Sequence, residues 1–290
     1  MAERLPDLVR EELAQPVDPR ASAMAAAIAA LYPGSARAVL FYGSCLRQSE
    51  LDGLMLDFYL IVSDYRDAYP GIWLTVANEM LPPNVFPFAH EGLAAKYAVL
   101  SEADFARLNG PEAGDVSVWA RFAQPSRLVW AADEAAREAA TAAVARAAPT
   151  LLSYALPMAA PGADALDLWR TGFALTYASE LRAERQGRSQ SIVDIEPERY
   201  RRFAAAALPG LAPAPRAAQA WRRFRRRGKL LSIARLAKAA TTFAGGADYL
   251  AWKINRHAGT TIVVRPWQRR WQILGALILL PRLLLRGAIR

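Results

Sequence analysis

Residues 36–44, ARAVLFYGS, and residues 55–62, MLDFYLIV, decide how the first half of this chain folds. Each apolar run is short, rich in branched and aromatic residues, and bounded by turn residues. The pattern predicts two buried strands, one over 36–42 and one over 55–62. Gly43-Ser44 ends the first, and the polar stretch 47–53 leads to the second. Strand alternation puts Asp57 and Tyr59 on one face of the second strand and Phe58 and Leu60 on the other. A single carboxylate is thereby carried into apolar surroundings.

Outward from these strands, Ala-rich residues 21–31 predict a helix, and 70–80 predict another that Pro82-Pro83 stops. Residues 96–100 and 127–131 read as further strands, separated by a helix opening at Ser101 with Asp104 in capping-box position. Strands alternating with helices make residues 1–150 a mixed domain. From Ala132 onward helical spacing dominates, over 133–147, 164–186, 196–207, 216–240 and 247–257, with a late strand candidate at 260–264. The expectation is an α+β chain: a mixed domain over 1–150, a helical, basic domain over 151–265, and an amphipathic terminal helix over 266–290.

The spacing has a chemical reading. A strand that ends in Gly43-Ser44 at a helix start lets backbone N–H groups and the serine hydroxyl approach phosphate oxygens, with help from the helix dipole. Asp57, on the next strand after the twelve residues that follow Ser44, could hold Mg²⁺ against those phosphates. Other chemistries are excluded by count. Cys45 is the only cysteine, so no intramolecular disulfide forms, and with only His90 and His257 there is no Cys/His zinc site. Cys45 itself has no histidine nearby in sequence and reads as packing.

The segment resembles the signature of the nucleotidyltransferase superfamily, an apolar strand, Gly-Ser, a short spacer and an Asp-x-Asp strand, with Tyr59 standing where the second acid is common. It is similar in particular to the mitochondrial-type phosphatidate cytidylyltransferases. Further stretches carry that resemblance in order: Lys96-Tyr97-Ala98-Val99, then Trp119, Arg121 and Pro125, then Tyr177-Ala178-Ser179-Glu180-Leu181-Arg182, and faintly RLAKAATTFAGG at 235–246. The resemblance implies a nucleotidyltransferase fold and transfer of a cytidylyl group from CTP to phosphatidate, with Mg²⁺ as cofactor. It implies Asp57, Glu180 and Arg182 as catalytic residues, Asp57 and Glu180 as metal ligands, and Gly43, Ser44, Lys96 and Tyr97 as the nucleotide-binding set. The alternatives are the same chemistry on another acceptor, a non-enzymatic nucleic-acid-binding protein, and a membrane-bound scaffold.

Charge is distributed unevenly. Residues 1–198 carry 16 Lys/Arg against 26 Asp/Glu, whereas residues 199–290 carry 20 against one, Asp248. The rear half therefore meets a polyanion. WRRFRRRGK at 221–229 interleaves cations with aromatics, a pattern that binds single-stranded nucleic acid. Residues 267–290 combine Trp267 and Trp271 with arginines and a short aliphatic run, which suits a helix lying in a headgroup layer. An anionic membrane surface is the expected partner, and nucleic acid is not. The N-terminal residues lack the apolar core of a secretory signal, and no uninterrupted apolar run is long enough to span a bilayer. The expected location is cytoplasmic, peripheral at the inner face of a membrane.

Overall fold

The computed structural model describes residues 3–47, 50–180 and 188–242. Its chain order is α1 (Leu5–Leu13), α2 (Pro19–Ala30), β1 (Ala36–Tyr42), a 3-10 turn (Ser44–Arg47), β2 (Met55–Val62), α3 (Tyr65–Ala68) and α4 (Ile72–Met80). Then come β3 (Asn84–His90), β4 (Leu93–Ser101), α5 (Glu102–Asn109), α6 (Trp119–Phe122) and β5 (Ser126–Ala131). The helices α7 (Glu134–Ala145), α8 (Ala147–Ala155), α9 (Ala165–Ser179), α10 (Arg188–Ile195), α11 (Pro197–Ala207) and α12 (Ala217–Thr242) complete it. The protein is α+β, with one mixed five-stranded sheet in the order β3-β4-β2-β1-β5.

The two decisive apolar runs become β1 and β2 with the expected bounds. β2 is central, antiparallel to β1 and parallel to β4, which explains why it is apolar almost throughout. β3 is a strand that the sequence hides, because NVFPFAH carries Pro87. Its place at the sheet edge, paired to β4 alone, removes the objection, since an edge strand tolerates a residue without an N–H. Glu91 and Gly92, both at positive φ, make the two-residue turn between β3 and β4.

Helix ends follow their caps. Ser101 accepts from the Asp104 N–H at 3.2 Å and opens α5, but the Asp104 carboxylate takes the Tyr65 hydroxyl at 2.7 Å. The expected helix over 133–147 is shorter, because Pro149 in the first turn of α8 breaks the ladder and the chain restarts there. α9 opens with a reciprocal Asp164–Asp167 capping box and ends at Ser179, short of the expected 186. The segments expected over 247–257, 260–264 and 266–290 lie outside the described residues. Among the described residues no helix is long and apolar enough to cross a membrane.

The sheet separates two apolar layers. On one side α2, through Ala21, Met24, Ala25 and Ile28, covers Val39, Phe41, Phe58, Leu60, Tyr97 and Val99. On the other, Leu40, Tyr59, Ile61, Ala98 and Leu100 join a core that continues through Trp119, Leu151, Trp169, Phe173, Trp221 and Phe224. The helices beyond residue 131 thus share their core with the sheet. Two helical glycines permit this closeness. A Cβ on Gly172 would lie 2.3 Å from Leu151 Cδ2, and one on Gly228 would lie 2.2 Å from the Ser179 carbonyl oxygen.

α12 carries its two aromatics inward. Trp221 and Phe224 are buried, and Trp221 Nε1 donates to the Tyr154 carbonyl at 3.0 Å. Their spacing of three is the inward stripe of an amphipathic helix. They offer no faces for base stacking, and the outward side of this stretch presents the cations Arg222, Arg223, Arg225, Arg226, Arg227 and Lys229.

Candidate functional site

Sheet register assembles the site. Tyr42 at the end of β1 pairs with Asp57 on β2, and Asp57 pairs with Lys96 on β4. All three occupy strand positions in phase with Leu40, Tyr59 and Ala98, so they form a row on the helix-covered face. Lys96 Nζ lies 2.8 Å from Asp57 Oδ1. Asp57 Oδ1 accepts no aligned hydrogen bond, so the pair is a charge contact. The Asp57 and Lys96 side chains are 21% and 28% exposed, while the Asp57 Oδ1 atom itself is buried.

Gly43 closes the row from the side. It turns with φ +95°, and a Cβ there would sit 3.3 Å from Asp57 Oδ2. Glycine is therefore favoured by the backbone, and a Cβ would make the carboxylate beside it give by a few tenths of an ångström. Ser44 follows, exposed to solvent, in the 3-10 turn Ser44–Arg47. A turn of four residues is no α-helix, so the helix-dipole contribution expected after Gly43 is not available here. What remains is the Gly43–Ser44 backbone and the Ser44 hydroxyl. Cys45 is buried in the α2-side core and donates to the Met55 carbonyl at 3.4 Å, a packing role.

Beyond Tyr42 stands Arg121, which the sequence placed in a family-like stretch without giving it a role. Arg121 Nη1 is 3.4 Å from Glu180 Oε1 and also donates to the Ser117 carbonyl. Its charge acts on the Tyr42 hydroxyl and on Asp57 as well. Burial opposes the Arg121 charge, but Glu180 first, then Tyr59, Tyr42 and Asp57, hold it well above its ordinary range. Burial, then Asp57 and Tyr59, raise the Tyr42 phenol well above its ordinary value, so it stays neutral. Tyr59 is core: its ring lies 5.2 Å from those of both Tyr42 and Phe122. Where a second carboxylate would stand on β2, an aromatic fills the space.

The structure brings Gly43, Asp57 and Lys96 together and sets Glu180 nearby through Arg121. Glu180 is the extended cap after α9 rather than a residue of a helix interior. Tyr97 does not join them. A period of two turns it to the α2 side, where its hydroxyl meets that of Tyr32 at 3.2 Å. Arg182 lies outside the described residues. Asp52 pairs with Arg20 at the surface, and Asp64 caps α3 by accepting from the Arg66 N–H.

Among the described residues no three His, Cys, Asp or Glu side chains gather where they could hold an ion by themselves. One carboxylate beside a glycine turn fits a Mg²⁺ that arrives with phosphate oxygens, a mode in which one or two carboxylates suffice. It does not fit a free-standing metal centre. No known protein family's model matches the chain, and no curated protein matches it.

Proposed function

We propose that this protein is a nucleotidyltransferase that moves a cytidylyl group from CTP to phosphatidate, giving CDP-diacylglycerol and pyrophosphate at a membrane surface. The observation that carries the reading is the Asp57–Lys96 pair, 2.8 Å apart and partly exposed beside the Gly43 turn. A carboxylate and an amine in such contact neutralise one another until a phosphorylated ligand separates them. The amine would then turn to a phosphate oxygen, and Asp57 would be the residue to hold a Mg²⁺ that arrives with the triphosphate and supplies charge stabilisation on phosphate.

The acceptor suits a site without a strong base. A phosphomonoester's second pKa is about 6, so phosphatidate is largely dianionic at neutral pH. Its oxygen forms a bond to the α-phosphorus while the bond to the β-phosphate oxygen breaks, and pyrophosphate leaves with that electron pair. Such a step needs placement and positive charge more than proton abstraction. Gly43 and Ser44 would border the triphosphate, and Arg121, oriented by Glu180, would set a second cation on the far side of Tyr42. The patchy family likeness from about residue 38 to 246 supports the choice of CTP and phosphatidate.

The test is direct. Purified protein with labelled CTP, Mg²⁺ and phosphatidate should yield a labelled lipid and pyrophosphate in equal amounts, and Asp57→Asn should not. Label appearing on RNA ends or a small alcohol instead would move the reading to another acceptor. No product with any acceptor, from a folded protein, would overturn it.

A further inference from the structure

α4 is built the wrong way round for a helix of a water-soluble surface. Its sequence, IWLTVANEM, turns Thr75, Ala77 and Asn78 inward, while Ile72, Trp73, Val76 and Met80 stand 82, 63, 37 and 81% exposed. Positions 72, 76 and 80 are four apart, and 73 is three before 76, so the four side chains share one side of the helix. Among the described residues eight large apolar side chains are exposed, and half of them stand on these nine residues. The other four, Leu31, Met158, Ile195 and Leu230, are dispersed, as single exposed apolar residues usually are.

A surface helix is ordinarily held by its apolar side. Hydrogen bonds hold much of this one. Thr75 Oγ1 donates to the Tyr65 carbonyl at 3.2 Å, Asn78 Nδ2 to Val99 at 2.9 Å, and Asn84 Nδ2 to Leu74 at 3.0 Å. α12 secures the end: Lys238 Nζ donates to the Ala77 and Leu81 carbonyls, and Arg235 Nε donates to Pro82 at 2.8 Å. The apolar side is thus presented on a fixed support.

We propose that the outer face of α4 inserts into the headgroup layer of an anionic bilayer, with α12 supplying the cations beside it. The proposal names the partner surface of the function proposed above and rests on that reading for the identity of the lipid. Charge selects a bilayer as the occupant. α12 carries eight Lys/Arg and no acid, and its exposed arginines begin about 10–25 Å back along the helix from the α4 contact. The chain that continues from α12, residues 243–290, adds eight Lys/Arg against one acid, together with Trp252, Trp267 and Trp271. A protruding helix with tryptophan among aliphatic side chains, next to acid-free basic sequence, has the composition of an interfacial anchor.

The experiment uses the full chain and phosphatidylcholine vesicles with and without phosphatidate. Trp73→Ser with Met80→Ser removes apolar groups that make little contact with the fold, so thermal melting should be unchanged. Sedimentation with phosphatidate vesicles should weaken about tenfold or more, as loss of two buried apolar side chains requires. Turnover on short-chain, soluble phosphatidate should stay at the wild-type level. Equal vesicle binding by wild type and the folded double variant would overturn the proposal. So would a double variant that loses only self-association, since the face would then belong to a second copy. If vesicle binding falls as expected while neither protein consumes CTP, docking is supported and cytidylyl transfer fails. If both proteins turn over soluble lipid and bind vesicles alike, transfer is supported and docking fails.

Discussion

Gly43 and Asp57 constrain each other: the turn needs φ +95°, and a Cβ would crowd Asp57 Oδ2 at 3.3 Å. Gly43→Ala should therefore cost about 1–2 kcal/mol in the left-handed backbone and displace the carboxylate. The expected result is a lower melting temperature together with reduced nucleotide turnover. Asp57→Asn keeps the shape and removes the charge, so turnover should drop on the order of 10²-fold or more, the scale of losing one preorganised electrostatic partner. Melting should change little, because the Asp57–Lys96 contact is partly exposed to solvent. Lys96→Met should instead raise the apparent Kd for CTP more than it lowers the maximal rate, if the amine meets a phosphate in the bound state. Calorimetry of CTP binding separates the two effects. Glu180→Gln leaves the partly buried Arg121 without its counter-charge, and about 1–3 kcal/mol of stability should be lost with it. Such a loss with unchanged turnover would make the Arg121–Glu180 pair a brace and remove it from the chemistry.

Among the elements, α12 ties the molecule together. Gly228 packs against the last carbonyl of α9, where an added Cβ would be 2.2 Å from the Ser179 oxygen. Gly228→Ala must push α12 away and should cost about 1–3 kcal/mol, as overpacking does. Since Ser179 precedes Glu180, turnover should fall with stability, which a urea midpoint and a rate measured on one preparation would show. Further along, Arg235 Nη2 meets Asp115 Oδ2 at 3.0 Å, with the carboxylate almost buried. Burial tends to raise the Asp115 carboxyl, but Arg235 and the Ser117 hydrogen bonds prevail and hold it below its ordinary 3.8. A depressed carboxyl contributes stability that is full above the unfolded value and lost as pH falls through the folded one. The gap in urea midpoint between wild type and Asp115→Asn should therefore be constant from neutral pH to about 5 and close below 3.8. A gap that stays open in acid would show that the pair is not what joins α12 to the loop before α6.

Across the whole molecule, one apolar layer runs from the sheet through Trp119 to Trp169 and Trp221. Trp119 is fully buried, its ring 6.1 Å from that of Trp221 and 6.3 Å from that of Tyr154. Trp119→Ala should cost about 3–5 kcal/mol, and sheet and helix signals should still be lost in one transition. Two separated transitions, followed by hydrogen exchange in β2 and α9, would show instead that the front and back halves hold separate cores. What the sequence determined by itself was local. MLDFYLIV is a strand because its residues are branched and aromatic, and Asp57 faces with Tyr59 because strands alternate; the charge asymmetry is likewise visible in composition. β3 was hidden because Pro87 is forbidden in a central strand, and nothing local announces an edge. Only the tertiary structure decided that Lys96 meets Asp57, since their pairing is the register of two parallel strands joined by the thirty residues 63–92. It alone set Arg121 between Tyr42 and Glu180 and left the large side chains of α4 outside. Those outcomes depend on which surfaces are covered by other elements, and a chain's own periodicity carries no record of its neighbours.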